Sequence, residues 1–254
     1  MRIEGLGRIL FGLSFAVRGA IGIAFHNAQV AWQPLLKGIV GHDALSDISG
    51  AILLVGGIAI LVPRTARIAA LALGFYLLVE ILVLVVPTLV AHPLIEGNWY
   101  SVSEPLTLVA GAWTIFSLLP GEGAMLANWG NVRAGQIVFA LALPAIGLSH
   151  FFYMNLTAPL IPSYLPFHVP LGYLTGAAHI AAGVGILLGI GLAATLEAVM
   201  VSLFTLLVWV PMVIAAPASR GNWSEILVST AISGAAWAVA GSFRRPLTIV
   251  PERP

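Results

Sequence analysis

Apolar runs of about 17 to 23 residues recur from one end of the chain to the other, and Pro, Gly and charged positions collect in the stretches between them. Runs of that length match a bilayer's hydrocarbon core at the helical rise of about 1.5 Å per residue. There only a helix satisfies its own backbone within one segment. The breaks predict eight spanning helices near 7–27, 47–62, 67–88, 104–119, 133–154, 171–190, 192–214 and 225–242. The second is short for a full span. The run beginning near Gly7 is too long for a removable signal and lacks a convincing small-residue cleavage site, so it is read as the first span.

The pattern also repeats. Val86-Pro87, Pro93, Gly97-Asn98-Trp99 and Trp113 return as Val210-Pro211, Pro217, Gly221-Asn222-Trp223 and Trp237, each pair 124 positions apart. His26 falls on His150 at that spacing, and Gly50-Ala51 through Gly57 fall on Gly176-Ala177 through Gly183 after a two-residue insertion. Agreement at one offset, including the rare Trp, predicts an internal duplication with units 1–125 and 126–254. The expected fold is all-α: a polytopic membrane protein whose eight transmembrane helices form two parallel four-helix repeats about an axis along the membrane normal, with a site at their junction.

Composition sharpens this picture. Hydrophobic residues make up 59% of the chain and charged residues 8%, which leaves nothing for a soluble domain. A net charge of +1, with its cations scattered, gives no basis for binding nucleic acid. Cysteine is absent, which removes disulfide exchange, thiolate-bound metal and covalently attached haem. No nucleotide-binding loop, nucleophile elbow or metal-binding His-Glu motif is present, and His168 is an isolated loop histidine.

Arg2, Arg8, Arg64, Arg67, Arg133, Arg244, Arg245 and Arg253 fall on one side of the eight-span arrangement, and Lys37 and Arg220 on the other. The positive-inside rule then puts both termini in the cytoplasm and the protein in the cytoplasmic membrane. The cytoplasmic connections are tight. The outer ones, 28–46, 89–103, 155–170 and 215–224, are longer and carry Trp32, His42, Asp43, His92, Glu96, Trp99, Tyr100, Tyr164, His168 and Trp223, so the working face is expected outside.

Gly50-Ala51-Ile52-Leu53-Leu54-Val55-Gly56-Gly57 leading to Arg64 and Arg67, then Glu104-Pro105-Leu106 and Leu119-Pro120-Gly121-Glu122-Gly123, resemble the DoxX family of four-helix membrane proteins. The resemblance covers 7–123 and, more loosely, 133–242, which implies a tandem DoxX-like chain. Members of that family include the large subunit of a thiosulfate:quinone oxidoreductase, which implies a redox or respiratory membrane assembly with partner subunits and a quinone. The chain departs from the family at the acidic position of the second helix, which is Leu53 and then His179. The acid of the fourth helix is kept as Glu104 and becomes Val228. Family chemistry that needs both copies of those carboxylates does not transfer.

The candidate chemistry is a short set of ionisable groups in apolar surroundings. Arg18 and Glu80 sit at about 15 and 18 Å from the cytoplasmic ends of the first and third helices, which predicts a buried pair. The pair either locks the bundle or lends one member to a ligand carboxylate, a quinone oxygen or a proton. His179, deep in the sixth helix, either bonds a hydroxyl such as Ser149 or Thr175, or serves a quinone carbonyl, a haem or a proton relay. His26 and His150 either anchor at the interface or ligate a haem or chlorin. Glu104 either caps the fourth helix or lines a cavity with Glu80. Trp99, Tyr100 and Trp223 are either interfacial aromatics or a lid. The expected ligand site is Arg18, Glu80, Glu104, His150 and His179 beneath Trp99 and Trp223, with no metal, and with membrane lipid as a partner. Three functional classes follow: a quinone- or lipid-binding subunit of a redox assembly, a transporter or lipid-handling protein, and a pigment-binding or structural subunit. A quinone is the leading cofactor expectation.

Overall fold

A computed structural model describes residues 3–26, 41–120 and 130–244. Lys37, Trp32, Arg2, Arg245, Arg253 and the Gly121-Glu122-Gly123 motif lie outside these residues. The described chain is helical: α1 (Ile3–Ala24), α2 (His42–Leu61), α3 (Ala66–Ala91), α4 (Glu96–Leu118), α5 (Val132–Phe152), α6 (His168–Leu187), α7 (Gly191–Ala215) and α8 (Arg220–Ser242), with a single-turn helix at Met154–Thr157. Seven of these are long and apolar enough to cross a membrane. The remaining long helix, α4, is 23 residues and opens with the polar stretch Glu96-Gly97-Asn98-Trp99-Tyr100-Ser101. Large apolar side chains cover the outside, as at Phe75 (67% exposed) and Ile214 (74%). An apolar exterior suits lipid, where it carries no cost. These are the features of a multi-pass membrane protein.

Small residues set the packing. A Cβ at Gly19 would lie 2.2 Å from the Leu54 backbone nitrogen, and one at Gly57 would lie 2.3 Å from that of Ala16, so α1 and α2 touch backbone to backbone. The same contact recurs between α5 and α6, where a Cβ at Gly147 would lie 2.5 Å from the Gly176 carbonyl oxygen. Each pair is tied at one end by an arginine. Arg8 donates to the Ile60 and Leu61 carbonyls (2.8 and 3.1 Å), and Arg133 donates to the Ile186 carbonyl (3.0 Å) and to that of Leu187. A cation there satisfies carbonyls that the ends of α2 and α6 leave open.

α1 also packs on α8, and α5 on α4, while α4 and α8 touch each other and α3 and α7 lie against α4 and α8. Phe11, Phe15, Leu108, Phe116, Phe139 and Leu143 fill the common core. α3 and α7 each contain a π-helical turn, at Ile81–Val85 and Thr205–Trp209, just before Val86-Pro87 and Val210-Pro211. Proline lacks a donor and clashes with the preceding turn, and the wider turn absorbs both problems.

Two expectations about connections are corrected. The segments 89–103 and 215–224 are not long loops, because α4 begins at Glu96 and α8 at Arg220. The Trp99 indole donates to the Pro93 carbonyl at 2.9 Å and the Trp223 indole to the Pro217 carbonyl at 3.0 Å, closing each turn from within the first helical turn. Glu104 consequently does not head a helix. It lies more than two turns inside α4, and the acid of the first turn is Glu96.

Candidate functional site

A cavity of about 410 Å³ opens among α4, α5, α6, α7 and α8, beside the 157–165 connection. Its walls are mostly aliphatic and aromatic, as at Leu143, Met200, Leu203, Phe204 and Trp209. Tyr100, Glu104, His150, Thr175, His179, Glu197 and Glu225 bring polar groups into this apolar space. An apolar hollow with a few convergent polar groups orients a lipophilic molecule that carries hydrogen-bonding ends.

α6 and α7 supply the most deeply buried of these groups. His179 is 3% exposed and Glu197 1%, and Nδ1 of His179 lies 2.8 Å from Oε1 of Glu197. The expected hydroxyl partner is therefore replaced by a carboxylate: Ser149 donates to the Ile146 carbonyl, and Thr175 turns to His150. His150 of α5 has Nδ1 3.1 Å from the Thr175 hydroxyl and 3.2 Å from the Gly172 carbonyl. The His150 and His179 rings are 5.4 Å apart, and both face Phe204. With Nδ1 engaged in each ring, Nε2 is the nitrogen left to meet a ligand.

Tyr100 and Glu104 of α4 and Glu225 of α8 also line the cavity, near enough to influence one another electrostatically. The buried Arg18 of α1 lies within electrostatic reach of Glu80, Glu104 and Glu225. The expectation for this region is a pair of Arg18 and Glu80; Glu104 and Glu225 also lie within reach of Arg18. The Tyr76 hydroxyl donates to Glu80 and shares a 2.6 Å bond with Ser49.

Of the seven residues expected to bind ligand, Glu104, His150 and His179 line the cavity together. Arg18 and Glu80 are outside the lining. Trp99 and Trp223 are outside the lining, with their indoles bound to their own turns. His26 is exposed and hydrogen-bonded to Asp47 at 3.0 Å, so it does not share the cavity with His150. Among the described residues, no group of three or more His, Cys, Asp or Glu side chains could hold a metal ion.

Sequence reasoning missed Glu197, Glu225, Tyr100 as a cavity residue, and Tyr76. A signal for Glu197 existed, since it is the sole ionisable residue in the 25 residues of α7. An acid in such a run is costly and marks a site unless it has a partner. Comparison with known protein families, with curated proteins and with solved structures finds no match.

Proposed function

We propose that the protein is a tandem four-helix membrane protein, with repeats 1–125 and 126–254, that binds one lipophilic molecule bearing hydroxyl or carbonyl groups, a quinone or quinol above all, in the cavity that α4 of the first repeat encloses with the helices of the second. The observation that carries this reading is the convergence of Glu104, His150, His179, Glu197 and Glu225 on a space of about 410 Å³ walled mostly by apolar side chains. Such a space is sized for a ring system of moderate bulk, and imidazole and carboxyl groups at its wall suit oxygen functions on that ring. Two parallel units are supported by the matched π turns, the matched arginine caps and the Trp indoles that close equivalent turns. The arginine-rich side is assigned to the cytoplasm, with both termini there. The DoxX resemblance adds a redox assembly with partner subunits as the setting. The chain would hold the ligand and a partner would supply the electron carrier.

Trp209 lies in the cavity wall and gives a direct test. Titration of the purified protein with a short-tailed quinone should quench tryptophan fluorescence saturably, and Trp209→Phe should remove most of the quenching. Met200→Trp, which fills the cavity from its wall, should abolish binding. Equal binding by Met200→Trp and wild type would refute the site.

A further inference from the structure

Two helix registers place an internal control beside this cavity. The buried faces of α3 and α7 correspond at 124 positions, so that Ala70, Leu73, Gly74 and Leu77 match Ala194, Glu197, Ala198 and Val201. Those of α2 and α6 correspond at 126 positions, so that Gly50, Leu53, Gly57 and Ile60 match Gly176, His179, Gly183 and Ile186. At the other six of these matched positions small residues replace small ones and aliphatic residues replace aliphatic ones. At two places only, a buried leucine in one half is exchanged for an ionisable residue in the other. Those two residues, His179 and Glu197, are hydrogen-bonded to each other.

Stability does not account for the exchange. A buried ion pair or strong polar pair must offset the desolvation of both groups, and apolar residues of similar volume do as well or better. Leu53 and Leu73 fill the corresponding positions in this chain at 3% and 1% exposure. The pair is also incompletely satisfied. Glu197 Oε1 meets His179, but Oε2 is buried with no hydrogen-bond partner. Buried polar groups kept for structure are normally bonded throughout. Both residues line the cavity, and the bond to Glu197 commits His179 Nδ1 and leaves Nε2 for a ligand.

We infer that His179 and Glu197 form a proton-accepting pair that takes the proton of an acidic hydroxyl on the bound molecule, so that the cavity selects enolic or phenolic lipophiles over aprotic ones; this rests on the ligand-binding reading above. The ligand O–H bond breaks and an N–H bond forms at His179 Nε2. The electron pair stays on the ligand oxygen, and no electron enters or leaves. The imidazolium keeps its Nδ1 proton directed at Glu197, which acts as a positioning residue by fixing the ring and offsetting its charge. His150 faces the pair from α5, Tyr100 and Glu104 from α4, and Glu225 from α8. Two imidazoles 5.4 Å apart oppose each other's charge, so one proton is held per ligand.

The probe is a 2-hydroxy-1,4-naphthoquinone with an alkyl tail, whose anion absorbs in the visible and whose neutral form does not, together with its 2-methyl ether. With empty micelles as reference and at a pH about one unit below the probe's own pKa, wild type should hold the hydroxyl compound as its anion, at least about tenfold tighter than the ether. The double variant His179→Leu with Glu197→Leu, in which the leucines reproduce the first half, should still bind both compounds, with equal affinity and no anion band. Glu197→Gln should keep binding and lose most of the band. Binding of both probes by wild type without the anion, or an anion band unchanged in the double variant, overturns the proton-accepting pair alone. No binding of either probe overturns the ligand-binding reading and this one with it.

Discussion

Replacing both His179 and Glu197 by leucine should cost far less than replacing either one. In the single variant His179→Leu, the Glu197 carboxylate loses its one hydrogen bond, 2.8 Å to Nδ1, while remaining about 1% exposed. Breaking a buried pair this way costs about 3 to 5 kcal/mol, although protonation of the carboxyl lowers the figure toward that of a neutral unpaired group, about 1 to 3 kcal/mol. Glu197→Leu leaves a neutral imidazole without its partner, again about 1 to 3 kcal/mol. The double variant removes both polar groups and leaves an apolar contact, so it should fall within about 1 kcal/mol of wild type or exceed it. The coupling between the positions should therefore approach about 3 kcal/mol, the upper end for residues in contact. Equilibrium unfolding in mixed micelles, followed by helical circular dichroism for all four proteins, measures it. A double variant as unstable as the two single losses added together would refute the view that the pair is dispensable for folding.

Four other outcomes follow from the packing and the charges. Gly57→Val should prevent the α1–α2 contact and abolish stable expression, because its Cβ would lie 2.3 Å from the Ala16 nitrogen. Gly56→Ala, whose nearest neighbour would be 3.5 Å away, should be neutral or stabilising by up to about 1 kcal/mol, as read by thermal melting in detergent. Arg18→Leu should destabilise the protein by several kcal/mol, about 3 or more, and adding Glu80→Leu should recover only part of that loss, since Glu104 and Glu225 also act on Arg18; full recovery in a double-mutant cycle would contradict the larger cluster. In this cysteine-free chain, single cysteines at the exposed Leu94 and Arg64 should react with an impermeant maleimide from opposite sides of the membrane, and labelling of both from one side would refute the assigned topology.

The helices were legible because lipid forces long apolar runs into that one backbone form, and seven described helices answer to such runs. Their ends were not. Gly97-Asn98-Trp99-Tyr100-Ser101 reads as a loop by composition, yet polar residues tolerate a helix's first turns where Asn98 and Trp99 bond back to the His92 and Pro93 carbonyls. The meeting of Glu104, His150 and His179 in one cavity could be anticipated from ionisable residues in apolar surroundings. Glu197 lies about 9 Å along α7 from Gly191 at the helical rise, and the sequence of α7 does not say which residue of another helix it meets. Only the neighbouring helix shows that His179 lies beside it. The Trp99 and Trp223 positions mislead for a related reason: their repetition marks a turn that each half closes in the same way, not a shared site.

Native mass spectrometry of the protein gently extracted from its own membrane tests the central claim most directly. The cavity predicts one added lipophilic mass per chain, released on activation and identified by fragmentation, absent from Met200→Trp and retained in Trp99→Ala. Wild-type protein that carries no such mass, or a Met200→Trp variant that carries it at equal occupancy, would contradict the claim.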